Sequence, residues 1–206
     1  MLFKRRHTEG QDREPAMIRW FGKTFGSLIL FSLEIVQIIV IAAAIIVPVR
    51  VFLVKPFVVK GASMEPNFYN DEYLIIDEIS YRFKEIERGQ IVVFQPPNNG
   101  TQFYIKRVIG LPGEEVQIED GVITIFNAEH PDGVVVDEPY IDVYTQGRTR
   151  VKLGDDQYYV FGDNRNHSLD SRSFGPITKE AIVGRVWLRG LPVDRVGTIP
   201  MPEYNL

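Results

Sequence analysis

Phe103-Tyr104-Ile105-Lys106-Arg107-Val108-Ile109-Gly110-Leu111-Pro112-Gly113-Glu114 reads as a β-strand closed by a Pro-Gly turn. Alternation with period 2 sets Tyr104, Lys106 and Val108 on one face and Ile105 and Arg107 on the other. A lysine flanked by apolar neighbours on its own face is expected to be desolvated. Burial disfavours the charged form and lowers a lysine's titration point by up to ~3–5 units. An exposed lysine titrates near ~10.4, so fewer than about one in a hundred would be neutral at pH 8. This stretch therefore points to a β fold and marks Lys106 as a candidate base.

The flanking sequence repeats the pattern. Phe57–Lys60, Tyr73–Asp77, Ile91–Phe94, Val116–Ile118, Val122–Phe126 and Tyr158–Phe161 are short runs rich in Val, Ile, Tyr and Phe. Turn chemistry separates them at Glu87-Arg88-Gly89, Pro96 to Gly100, Asp120-Gly121 and Pro131-Asp132-Gly133. Short strands at regular spacing predict a mainly β body, a barrel or sandwich. Ser80–Glu87 has helical content but little length. The polar, loop-rich region 121–154 reads as a small inserted β subdomain. Within it, Gly147-Arg148-Thr149-Arg150 is expected to be a solvated strand edge and not a basic binding patch.

Ahead of the β pattern, Leu28–Val47 reads LILFSLEIVQIIVIAAAIIV. Twenty residues at ~1.5 Å rise span ~30 Å, the thickness of a hydrocarbon core. A cleavable leader is the alternative, with Ala42-Ala43-Ala44 as its small residues. The long charged region before the segment, and the continuation through Ile45-Ile46-Val47, favour an uncleaved anchor. The expected organisation is a cytosolic tail over 1–25, a transmembrane anchor over 26–49 and an extracytoplasmic body over 50–206. Residues 1–25 carry six basic and three acidic side chains, a balance of +3 in a chain of net charge −4, which leaves −7 on the rest. Basic residues before the span place the N-terminus in the cytosol. Glu34 and Gln37 share one helical face, and a helix contact or snorkelling is the expected role for Glu34. Trp20 and Phe21 suit an interfacial belt. Phe52, Leu53, Val54 and Phe57 form either a lipid-facing patch or core and linker.

Composition excludes several classes. Cysteine is absent, so neither a disulfide framework nor a thiolate nucleophile exists. The three histidines, His7, His130 and His167, have no ligand spacing, so a zinc site is not expected. No metal or organic cofactor is indicated. An acidic body is a poor nucleic-acid partner.

A serine hydroxyl is a poor nucleophile until a base takes its proton. Gly61-Ala62-Ser63-Met64-Glu65 lacks the second glycine of a G-x-S-x-G elbow, which disfavours a Ser/His/Asp hydrolase. A neutral lysine is a known substitute for the histidine. Three blocks come after the apolar segment in order. They are Ser63-Met64-Glu65-Pro66, then Lys106-Arg107-Val108-Ile109-Gly110-Leu111-Pro112-Gly113-Glu114 beginning 43 residues later, then Gly162-Asp163-Asn164-Arg165-Asn166-His167-Ser168-Leu169-Asp170-Ser171-Arg172. The last block lacks the D-x-[DN]-x-[DN]-G order of a calcium loop, with Arg165 at an acidic position.

In this order the blocks resemble the type I signal peptidases, membrane-anchored Ser/Lys proteases, and the likeness runs from the apolar segment to about Trp187. The resemblance implies Ser63 as nucleophile and Lys106 as general base. Met64 and Pro66 then shape the turn behind the serine, and the Ser168 hydroxyl helps to hold the lysine. Asp163, Arg165, Asp170 and Arg172 form a charged cluster that props the site. The substrates implied are exported preproteins with small residues at the first and third positions before the cut, bound as an added strand next to the bilayer. Many members carry a hydroxyl two residues before the nucleophile as an oxyanion donor. That position is Gly61 here, which leaves the second donor unidentified. Asn67 and Phe68 stand where threonine and leucine are more usual. The rival classes are the self-cleaving Ser/Lys repressors and an anchored β-domain that binds without cutting. An apolar span in place of a DNA-binding module opposes the first, and the presence of both Ser63 and Lys106 opposes the second.

Overall fold

The computed structural model describes residues 23–48, 55–97 and 100–206. It divides into two compact units, Met1–Val49 and Arg50–Leu206. Trp20, Phe21, Phe52, Leu53 and Val54 lie outside the described residues.

In the first unit, helix α1 runs from Lys23 to Pro48 without a break at the three alanines. Its Phe25–Val47 portion, 23 residues, is long and apolar enough to cross a membrane, and its apolar stretch is unburied. Ser32 bonds back to the Leu28 carbonyl at 2.9 Å, which satisfies a polar hydroxyl inside the helix.

The second unit is mainly β. Its strands are β1 (Lys55–Val58), β2 (Tyr73–Asp77), β3 (Ile91–Phe94), β4 (Tyr104–Gly110), β5 (Glu115–Glu119) and β6 (Val122–Phe126). They continue with β7 (Val134–Val135), β8 (Thr149–Lys152), β9 (Gln157–Phe161), β10 (Ile177–Thr178), β11 (Ile182–Leu191) and β12 (Gly197–Thr198). Eight strands form one curled sheet in the order β1-β2-β11-β3-β4-β9-β10, with β12 paired to β11. The other four form a second sheet, β7-β6-β5-β8, and every pairing is antiparallel. Ser80–Arg82 is a single 3-10 turn. Strand β8 is the edge of the second sheet, where Arg148 pairs with Glu119 and Arg150 with Glu115. The arginines of that segment are thus neutralised along a strand edge.

The large sheet is covered on both faces, which explains why β3 is buried at every residue. Ile91 and Val93 pack with Met64, Phe68, Leu74 and Ile76. Val92 and Phe94 pack on the opposite side with Val108, Tyr158 and Val160. Strand β9 alternates in the same way. Its Tyr159 and Phe161 join Val116, Ile118, Ile123 and Ile125 in a third cluster between the two sheets. Gly110 lies at that junction, where an added Cβ would meet Val116 Cγ2 at 2.6 Å and the Leu153 Cδ1 and Tyr159 Cβ atoms at 2.8 Å.

Gly110→Ala should therefore lower stability by about 1–3 kcal/mol, the usual cost of overpacking a filled core. The urea midpoint measures this, and an unchanged midpoint would show that the two sheets are not so closely apposed.

Candidate active site

Strand β4 pairs with β3 along Tyr104–Arg107, but β9 joins its other edge only from Arg107 onward. The edge before Arg107 is therefore open on one side. Val108 exchanges hydrogen bonds with Gly89 and Gln90, next to β3, so alternation turns the Ile105 main-chain groups toward the open edge. The Lys106 amine folds over this edge. It lies 2.8 Å from the Ile105 carbonyl oxygen and 2.8 Å from Ser63 Oγ.

Ser63 sits in the loop between β1 and β2, held there by two anchors on its C-terminal side. Met64 and Phe68 are fully buried, and Phe68 N–H donates to the Met64 carbonyl at 2.8 Å. These residues leave Ser63 between core and cleft. Gly61 adopts φ +87°, a left-handed conformation that favours glycine, and its N–H donates to Asn70 Oδ1 at 2.9 Å. Pro66 comes after a cis Glu65–Pro66 bond in the same turn. From the other side of the cleft, Asn164 N–H donates to the Ser63 carbonyl at 3.1 Å, and its side-chain amide donates to the Ala62 carbonyl at 3.1 Å. An added Cβ on Gly162 would lie 2.4 Å from the Ser63 carbonyl oxygen and 2.2 Å from Ser168 Oγ, so only glycine allows this approach.

Lys106 is 3% exposed, and among the described residues no carboxylate pairs with it. Burial lowers its pKa from 10.5 to about 8, with Asp170 and Asp163 pulling weakly the other way. These acids are already engaged. Asp163 accepts from Arg107 Nε at 2.8 Å and Nη2 at 2.6 Å. Asp170 accepts from Arg172 Nε and Nη2, each at 2.8 Å, and from Gly162 N–H at 3.2 Å. Arg165 donates to Glu138 Oε2 at 2.8 Å and to the Gly162 carbonyl at 3.0 Å. Adjacent basic residues on β4 thus have opposite fates. Arg107 takes a carboxylate, and Lys106 is left without one.

Beside the dyad opens a cleft of about 590 Å³, lined by Phe57, Val58, Leu74, Val93, Phe103, Tyr104, Ile105, His167 and Leu169. Phe57 packs edge-on against Phe103 at 5.5 Å, which makes it a wall of this cleft. Among the described residues no group of three His, Asp or Glu is placed to hold a metal ion.

The arrangement puts a hydroxyl in contact with an amine whose pKa burial lowers to about 8, a geometry that a nucleophile and its base require. Residues 32–190 match the family model described as signal peptidase, peptidase S26. The chain belongs to that family. The probable signal peptidase I-2 of Synechocystis sp. is 39% identical over 175 residues, which cover 81% of this chain and 77% of the relative. The signal peptidase I of Bacillus amyloliquefaciens is 38% identical over 164 residues, 74% of this chain and 84% of its own. A solved signal peptidase I from Enterococcus faecalis V583 is 30% identical, covering 50% of this chain and 97% of that one, with a TM-score of 0.43.

Of the residues expected at a signal peptidase site, the fold brings Ser63, Lys106, Gly61, Met64, Pro66, Asp163, Arg165, Asp170 and Arg172 into one region. Ser168 is there too, but its hydroxyl is buried with no hydrogen-bond partner among the described residues. The Lys106 amine bonds to the Ile105 carbonyl instead of to the Ser168 hydroxyl. Sequence reasoning assigns no role to Asn164, Asn67, Arg107 or Glu138. Asn67 donates to Asp163 Oδ2 at 2.9 Å and to the Tyr140 carbonyl at 3.3 Å. Arg107 and Glu138 have a signal in the sequence, since Asp163 and Arg165 each need a partner of opposite charge.

Asp163→Ala would strand the Arg107 guanidinium in the interior. A loss of about 3–5 kcal/mol is expected, as when one member of a buried pair is removed. Chemical denaturation reads this, and a loss below about 1 kcal/mol would mean that water reaches Arg107.

Proposed function

We propose that this chain is a membrane-anchored serine endopeptidase that removes N-terminal signal peptides from exported preproteins, with Ser63 as nucleophile and Lys106 as general base. The observation that carries this is the 2.8 Å contact between Ser63 Oγ and a lysine buried without a carboxylate partner, at the end of an apolar cleft. Family membership and the names of the relatives supply the reaction class.

The chemistry is set by the contacts. Neutral Lys106 has one lone pair and two N–H groups. The lone pair accepts the Ser63 proton, one N–H serves the Ile105 carbonyl, and the other is available to Ser168 Oγ. Ser63 Oγ attacks the scissile carbonyl carbon, giving a tetrahedral intermediate. The Ser63 N–H makes no hydrogen bond among the described residues, so it is available to the oxyanion. The ammonium of Lys106 then protonates the leaving amine as the C–N bond breaks, leaving an acyl-enzyme. Water then gives a proton to Lys106 as its oxygen attacks the acyl carbon, and the ammonium returns a proton to Ser63 Oγ as the C–Oγ bond breaks, which frees the new carboxyl end and restores the dyad.

Substrate geometry derives from the open edge of β4. An extended segment laid against it would pair with the Ile105 main chain and send alternate side chains into the cleft, as strand addition requires. The walls are aliphatic and aromatic, which suits the small apolar residues before a signal-peptide cut. The apolar helix, with basic residues before it, supports an N-terminus in the cytosol and a catalytic body outside. Region 121–154 would be an insertion on that body.

Cleavage of a preprotein whose signal ends in Ala-x-Ala, in detergent at pH 8, tests the assignment. Ser63→Ala and Lys106→Ala should each lose roughly 10³-fold or more of the rate. Cutting that survives both substitutions would refute the dyad. Deprotonation creates the base, so activity rises with pH. Below about 8, the titration point of Lys106, kcat/KM should fall about tenfold per pH unit, and above it should level off. His167→Ala should leave this limb in place, and a limb that vanishes with His167 would name a different base.

A further inference from the structure

The turn that carries Ser63 is also gripped by residues that do not line the cleft. Glu72 closes the loop that Ser63 occupies, its carbonyl accepting from Val59 N–H at 2.9 Å, and it is 2% exposed. Its carboxylate sits between two guanidiniums. Arg189 Nε lies 2.8 Å from Glu72 Oε2, an ion pair without hydrogen-bond alignment, and Arg195 donates to Glu72 Oε1. Both arginines turn a further nitrogen to a single acceptor, the Asn67 carbonyl, which is 3.2 Å from Arg195 Nη2. Arg189 stacks over Phe68 at 4.9 Å and Arg195 over Tyr69 at 4.6 Å.

Asn67 is the junction. On one side its carbonyl takes the two arginines of β11 and the turn after it. On the other its amide donates to Asp163, which the chain neighbour of Lys106 holds. The residue therefore ties the nucleophile's turn to the strand that bears the base and, independently, to β11, which lies between β2 and β3 in the same sheet.

We propose that Glu72, Arg189 and Arg195 are positioning residues for the reaction, setting the separation of Ser63 and Lys106 through the Asn67 carbonyl. The proposal rests on the Ser/Lys assignment above. A buried carboxylate between two arginines contributes little net stability compared with apolar packing of the same volume. Its effect is geometric, because each guanidinium is a rigid planar fork whose donors have fixed directions. Two forks converging on one carbonyl fix that peptide in space. Without the negative charge, the two cations would repel each other, drift apart and release the carbonyl. The serine turn would then lose its hold from β11 and keep those through Asp163, Tyr140 and Asn164. A displacement of about 1 Å at a reacting group costs on the order of 10²-fold in rate.

The test uses the full chain in detergent, with kcat and KM measured separately on the Ala-x-Ala preprotein, and with folding followed by circular dichroism. Glu72→Gln, similar in shape but uncharged, should lower kcat about 10- to 100-fold and leave KM within about twofold. Arg195→Lys keeps the charge at a half-exposed site but lacks the fork, so it should show the same split at smaller size. It also serves as the reading if Glu72→Gln fails to fold. A folded variant with lowered thermal stability and wild-type kcat would overturn the proposal and leave the triad a packing element. Ser63→Ala separates the two claims. If it is inactive while Glu72→Gln is fully active, the triad assignment fails alone. If it still cleaves, the dyad fails and the triad with it.

Discussion

Everything at this site depends on one lysine being buried without a counter-ion. A charged amine in a protein interior is costly unless it is paired, and an unpaired one responds by giving up its proton. Lys106 is 3% exposed, and the structure places two carboxylates near enough to raise its pKa, Asp170 and Asp163. A free carboxylate close to the amine would favour its protonated form. The fold prevents this by giving each acid its own arginine, Arg172 and Arg107, in two-pronged contact. Arginine suits that duty because its guanidinium stays charged at any pH the protein meets.

The same pairs hold the geometry. Asp163 links strand β4 to the block after β9 and to Asn67 in the serine turn, while Asp170 caps a short helix, α2 (Ser171–Phe174), and receives the Gly162 amide. Gly162 then permits the close approach of Ser168 and of the Ser63 carbonyl. Buried ion pairs are weak sources of net stability. Their value here is that each arginine engages a carboxylate that would otherwise be unpaired near Lys106 and at the same time fixes a segment that carries a site residue.

Much of this is legible in the sequence because the signals are local. The alternation around Lys106, the turn residues and the apolar run each depend on neighbours a few positions apart, and β2, β3 and β6 have the bounds that their runs suggest. Strand β11 escapes such a reading, although it is the longest at ten residues. Gly184, Arg185, Arg189 and Gly190 break its apolar pattern, and its pairings with β2 and β3 are interrupted by register shifts. The three sequence blocks carry the serine and lysine but not their contact, which depends on β9 leaving the edge of β4 open before Arg107. Asn67 and Glu72 are illegible for a different reason. Their partners lie 96 residues away at Asp163 and 123 away at Arg195, and an asparagine or glutamate in a loop is ordinarily solvated.

The most direct check is to titrate Lys106 itself. Lysine side chains labelled with ¹³C at Cε report protonation by their chemical shift, and Lys106→Arg assigns the resonance by its loss. A titration midpoint near 8 is predicted for Lys106. A midpoint at about 10 or above, the range of an ordinary lysine, would mean that the amine is hydrated or paired in solution, and the neutral-lysine account of the site would be wrong.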